Sequence, residues 1–283
     1  DANTDGGTNI AVGYAALGSN TSGIRNNAHG HGALGSNTTG GRNVAVGYAA
    51  LNASTTVSYN TAVGNEALTV NTSGTQNTAV GNLALDANTT GSQNNAFGDN
   101  ALGANTTGSY NVAVGEQSLY NSNGSDNTGC GHRTLQANTT GTGNVAVGAN
   151  ALDANTTGGY NVAVGQGSLT ANTTASNNVA IGVNALQVNT DQAYNTAVGA
   201  FAMDANTGGS DNTAVGGHAL GQCTTGHTNN AFGKGAGGNI STGTKNTLIG
   251  TTGPVSTGSY NILIGYNAGE ASSPSGQVTT GSG

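Results

Sequence analysis

Asn111-Val112-Ala113-Val114-Gly115 returns as Asn144-Val145-Ala146-Val147-Gly148 and again as Asn161-Val162-Ala163-Val164-Gly165. With that Asn as position 1, copies begin at Asn9, Asn26, Asn43, Asn60, Asn77, Asn94, Asn111, Asn127, Asn144, Asn161, Asn178, Asn195, Asn212, Asn229, Asn246 and Asn261. Every step is 17 residues except Asn111 to Asn127, which is 16, and Asn246 to Asn261, which is 15. The consensus is N-x-A-V-G-x-x-A-L-x-x-N-T-T-G-x-x. A fixed period of this length marks a stack of units, each burying its apolar side chains only against its neighbours.

The columns give the local structure. Position 4 is β-branched or aromatic in most copies, from Val12 through Phe97 and Ile181 to Ile264, position 3 is almost always Ala, and position 9 is usually Leu. Successive strand side chains point to opposite faces, so apolar residues at both 3 and 4 predict a short strand covered on both sides. The large position-4 side chain is expected inside the coil. The small Ala is expected outside, where a second surface approaches closely. Gly at position 5 in all copies predicts a corner needing positive φ or close backbone contact, and Asn-Thr-Thr-Gly predicts a polar turn. Helix is disfavoured by the Gly, Asn and Thr density and by the lack of an apolar stripe at helical spacing. The Asn columns at positions 1 and 12 are expected to form side-chain ladders along the stack. The fold expected is therefore all-β, a parallel β-solenoid (β-roll) of about 16 rungs with a 17-residue repeat. It is expected to run through residues 1–269, with 270–283 a Ser/Gly/Thr-rich tail or the start of a further segment. Asp1–Thr8 matches positions 10 to 17, so the chain is expected to be a piece of a longer fibre or a unit that stacks end to end.

Composition excludes several roles. With 50 Gly and only 6 % charged and 4 % aromatic residues, there is too little bulk to fill a wide globular core. Five basic residues, Arg25, Arg42, Arg133, Lys234 and Lys245, are too few for a nucleic-acid footprint or an anionic membrane surface. No apolar run approaches the roughly 20 residues of a membrane span. Cys130 and Cys223 fall five rungs apart, so no intrachain disulfide is expected. Cys130 at position 4 is expected to be a small buried hydrophobe.

The run Asn-x-Ala-Val/Ile-Gly-x-x-Ala/Ser resembles the head repeat of trimeric autotransporter (YadA-like) adhesins. The fuller pattern, Tyr110-Asn111-Val112-Ala113-Val114-Gly115 with Ala104-Asn105-Thr106-Thr107-Gly108, resembles the repeat shafts of phage-type tail fibres and related bacterial surface proteins, many of which end in a self-cleaving chaperone domain. The resemblance covers almost the whole chain. It implies an extracellular, cell-surface or virion location, a homotrimer, and a host-surface glycan or protein receptor.

Two clusters are candidate sites. Asp99, Glu116 and His132 occupy position 6 of three consecutive rungs. A column of carboxylates and imidazole about 5 Å apart suits a cation or acid–base work, although other occupants of that position are varied and polar. His29 replaces Val at position 4 and His31 follows two residues later. His-x-His pairs hold metal in trimeric phage fibres, and by that resemblance these imidazoles would converge on an axial transition metal in a trimer; otherwise no cofactor is expected. Asn-Thr-Thr formally matches the N-glycosylation sequon at many rungs. No nucleophile–base pair or phosphate loop stands out, so no enzyme is expected. The function expected is a structural and adhesive fibre shaft. The alternatives are an end-to-end polymerising extracellular filament subunit, or a monomeric ice- or glycan-binding solenoid using Thr at positions 13 and 14.

Overall fold

The computed structural model describes residues 6–251 and 257–268; the expected tail, 270–283, lies outside them. The chain is an all-β parallel β-solenoid that divides into two compact units, residues 1–143 and 144–283. The first carries β1 (Ile10–Val12), β2 (Asn27–His29), β3 (Val44–Val46), β4 (Thr61–Val63), β5 (Thr78–Val80), β6 (Asn95–Phe97), β7 (Val112–Val114) and β8 (Thr128–Cys130). The second carries β9 (Val145–Val147), β10 (Val162–Val164), β11 (Val179–Ile181), β12 (Thr196–Val198), β13 (Thr213–Val215), β14 (Asn230–Phe232), β15 (Thr247–Ile249) and β16 (Ile262–Ile264). Within each unit every strand pairs in parallel with the next, column on column: Ala62 opposes Ala79, and Ala163 opposes Ala180. The short steps leave the register intact, with Val112 opposite Thr128 and Thr247 opposite Ile262. In the 16-residue step the missing residue is therefore taken from outside the strands.

The interior is the reverse of the expected one. Position 3 points inward: Ala45, Ala113, Ala180 and their equivalents are fully buried. Position 4 points outward, leaving Val46 37 %, Ile181 39 % and Phe232 42 % exposed. The reason is width. The opposite wall is built by positions 8 and 9, where Ala50 and Leu51 are both fully buried. A Cβ on Gly129, which takes position 3 in its rung, would lie 2.5 Å from Ser118 Oγ and 3.4 Å from Leu119 Cγ. Around that rung Ser118 and Thr134, standing where Ala is usual at position 8, take even the space of a methyl group; with Ala at position 8 the methyl of a position-3 Ala fits. Where that balance shifts, neighbours compensate. Position 9 of one rung is Gly237, and a Cβ there would meet Leu220, Leu248 and Ile240; Leu248 at position 3 and Ile240 at position 12 fill the space of the absent leucine.

Two adjacent residues reach the same interior because position 9 is left-handed. Leu51, Leu102 and Leu152 all have φ of 53°. That conformation costs a non-glycine residue about 1–2 kcal/mol, and burying a leucine returns about 1.5–3 kcal/mol, so burial wins. Positions 7 and 17 are left-handed as well, as at Glu66 and Tyr59. The expected glycine corner is present: Gly47 has φ of 133°, and a Cβ there would fall 2.2 Å from Gly64 O.

Both expected Asn ladders form. At position 1, Asn60 Oδ1 accepts the backbone N–H of Asn77 at 2.9 Å, while Asn60 Nδ2 donates to Gly74 O at 3.0 Å. At position 12, Asn88 Nδ2 donates to Asn71 Oδ1 at 2.9 Å and to Gly91 O at 3.0 Å. Each buried amide thus satisfies a turn carbonyl and the adjacent rung together, which removes the desolvation penalty of a polar interior. One break in the position-12 ladder has a clear cause. Ser54 stands where Asn is expected, its hydroxyl donates to Asn71 O at 2.8 Å, and Asn37 Oδ1 is left buried without a donor.

Candidate functional site

With the interior filled by positions 1, 3, 8, 9 and 12, the chemistry of the surface lies in the remaining columns. Positions 2 and 4 form the outer face of the strands. In the first unit this face runs from Ile10 and Val12 to Thr128 and Cys130, and in the second from Val145 and Val147 to Ile262 and Ile264. It carries no Asp, Glu, Lys or Arg in either unit. Val114, Val147, Ile249 and Ile264 on it are more than one-third exposed. Cys130 is also exposed here, which corrects the expectation of a buried thiol: position 4 is outside the coil. Cys223 at position 12 is the buried thiol, its pKa pushed up to about 11 by burial. Both cysteines are free.

The two histidines of the His-x-His pair occupy different columns. His29 lies half-buried on the outer strand face, opposite Val12 and Val46. His31 lies past the glycine corner, stacked between Tyr14 at 5.1 Å and Tyr48 at 5.4 Å, with interplanar angles of 22° and 20°. His31 stays exposed between the two rings. A second stack, Phe201 on His218 at 5.1 Å, occupies position 7. The spacing places these rings one rung apart, but only the tertiary structure gives them a common tilt.

Asp99, Glu116 and His132 are all exposed. The Asp99 carboxylate accepts from Asn82 Nδ2 at 2.8 Å and from Asn100 Nδ2 at 2.7 Å. The described residues include no group of three or more His, Cys, Asp or Glu side chains placed to hold one metal ion. The sequon asparagines are closed to modification in the fold: Asn88, Asn105 and Asn155 are fully buried with their amides donating to turn carbonyls. The Thr column divides in two. Position-13 hydroxyls donate to the next rung, as Thr38 Oγ1 does to Thr55 O at 2.9 Å, whereas position-14 threonines such as Thr39, Thr90 and Thr157 are exposed.

A groove of about 490 Å³ opens along positions 14 to 17 of two adjacent rungs, lined by Thr56, Val57, Tyr59, Ser73, Thr75 and Gln76 among others. Its cause is local. At position 15 of a regular rung there is no space for a side chain: a Cβ on Gly40 would sit 2.2 Å from Val57 O, and one on Gly74 2.2 Å from Gly91 O. Val57 carries that Cβ and two further methyls; Ala175, which carries the Cβ alone at the same position, keeps the bonds from Thr173 and Thr174 N–H to Thr190 O. Thr38 and Thr39 both donate their N–H groups to Thr55 O, but Thr55 and Thr56 do not make the matching bonds to Thr72 O. The same bond is absent from Thr190 to Thr207, in the rung where Gln192 takes position 15.

No family model matches this chain, and no curated protein matches it. Among the described residues no helix is long and apolar enough to cross a membrane.

Proposed function

We propose that this chain is a structural and adhesive shaft segment of an extracellular fibre, on a cell surface or a virion, built from copies of itself. The observation that carries the reading is the uncharged, largely aliphatic outer strand face, continued in column through β1–β8 and again through β9–β16. Valine, isoleucine and phenylalanine at position 4 in every rung but those of His29 and Cys130, beside Val, Ile, Thr and Asn at position 2, are the expected signature of a face that another surface covers. At about 4.8 Å per strand and about 10 Å across, eight strands offer about 400 Å² in each unit, so each unit by itself supplies about half of the roughly 800 Å² per partner of a standard stable interface. A second copy is the fitting occupant: it presents the same spacing, the same absence of charge and the same pleat. The resemblance to trimeric fibre and adhesin repeats favours three chains. The interface is therefore assigned to positions 2 and 4, not to the Ala face expected from the sequence.

Light scattering behind size exclusion tests this directly. Three chains per particle is the expected mass, and a stable single chain at micromolar concentration overturns the assembly. In a trimer, His29 on the docked face would converge with its copies and supply imidazoles for an axial transition metal. His31, wedged between two tyrosines, fits that role less well. Elemental analysis of the purified oligomer finding well below one transition-metal ion per particle removes the metal.

A further inference from the structure

We infer that the groove beside Tyr59 is a binding site for a neutral oligosaccharide. Its volume of about 490 Å³ lies within the roughly 300–1,000 Å³ of small-ligand sites. Its chemistry is that of a surface meant for hydroxyl groups. The hydroxyls of Thr56, Ser73 and Thr75 and the amide of Gln76 make no hydrogen bond within the described residues, so four uncommitted polar groups converge on one concavity. The lining includes no Asp, Glu, Lys, Arg or His, which disfavours a charged ligand. The exposed Tyr59 ring supplies the apolar wall, above a floor at Val57, which is only 4 % exposed. The Tyr59 ring is held in place: the Arg42 guanidinium lies 5.1 Å from its centroid, and Arg42 Nη1 donates to its hydroxyl. A sugar ring has apolar C–H surfaces and a rim of hydroxyls that both donate and accept, and this lining offers the complement to each. The groove exists because the rung departs from the repeat. The rung with Val57 at a glycine position lacks the backbone bonds that the adjacent rungs keep, and a local loss of regular structure at a surface concavity is where binding sites arise.

This site is independent of how the chain assembles, so its test is separable from the native mass. The full chain is mixed with maltotriose, cellotriose, N,N′,N″-triacetylchitotriose and lactose, each at millimolar concentration, and saturation-transfer NMR reads which sugar protons receive magnetisation from the protein. At least one of the four is expected to show transfer. Tyr59→Ala and Gln76→Ala, both surface changes, are each expected to weaken that binding at least about tenfold with an unchanged melting temperature. Tyr160→Ala, in the same column of the second unit, leaves it intact. Absence of transfer from all four sugars overturns the proposal. So does transfer that survives both groove substitutions, or that is lost equally in Tyr160→Ala.

Discussion

Replacing Asn60 by Ala should destabilise the fold by about 3 kcal/mol. The amide is fully buried. Its Oδ1 is the acceptor for the Asn77 N–H at 2.9 Å, and its Nδ2 donates to Gly74 O at 3.0 Å. Truncation removes these two hydrogen bonds, worth about 1 kcal/mol each, with a long third one from Nδ2 to Ser58 O at 3.4 Å, and leaves a buried N–H unsatisfied, at about 1–3 kcal/mol. Gly74 O keeps the bond from Asn71 Nδ2 at 2.8 Å, so the carbonyl adds little. The total is about 3–5 kcal/mol, and partial collapse of the site brings it toward the lower figure. Asn82→Ala is the matched control. It too removes an amide that bonds across rungs, to Asp99 at 2.8 Å, but in an exposed column, where about 0.5 kcal/mol or less is at stake. Urea unfolding followed by circular dichroism, with all three proteins at one chain concentration, measures the difference. A loss below about 1 kcal/mol for Asn60→Ala, or equal losses for both variants, would refute the claim that the inner amide ladder holds the rungs together.

Other columns give further expectations. Ser54→Asn supplies the donor that Asn37 Oδ1 lacks and should stabilise by about 1 kcal/mol, read as a higher urea midpoint; a lower midpoint would mean that Val57 leaves no room for the longer side chain. Val164→Glu places a charge on the outer strand face and should shift the native mass toward single chains while the circular dichroism spectrum is kept. Under native conditions at pH 8, Cys223 should resist a thiol reagent, because burial pushes its pKa up to about 11, and only denaturation should expose it; labelling of Cys223 in the folded chain counts against the inward placement of position 12. Desolvation, with a smaller contribution from the Glu66 charge, raises the Asp86 pKa above 3.8. A raised carboxyl pKa leaves stability unaffected at pH values well below 3.8, where both states are protonated, and lowers it as pH climbs through the folded value. Asp86→Asn should therefore raise the melting temperature at pH 7 and leave it nearly unchanged at pH 3.

The sequence alone determined the repeat, the strand positions and the side-chain ladders. A period of 17 with β-branched residues and glycine in fixed columns leaves a parallel solenoid as the arrangement that brings like residues into register, and the Asn columns at positions 1 and 12 had to form ladders once stacked. Gly at position 5 was legible because only glycine tolerates both a φ of 133° and a carbonyl 2.2 Å from its missing Cβ, as at Gly47. Which side of the strand is inside was not legible. Alternation says that positions 3 and 4 face opposite ways, and both are apolar, so the pattern is satisfied either way round. The choice was made across the coil: Leu at position 9, turned inward by a left-handed backbone that no glycine announces, fills the opposite wall, and the methyl of a position-3 Ala fits against it. That one steric decision carried Val, Phe, His29 and Cys130 to the outer surface. The groove at Tyr59 was hidden for a related reason. Val57 reads in the sequence as one more tolerated variant, and only the structure shows that its rung lacks the bonds from Thr55 and Thr56 N–H to Thr72 O.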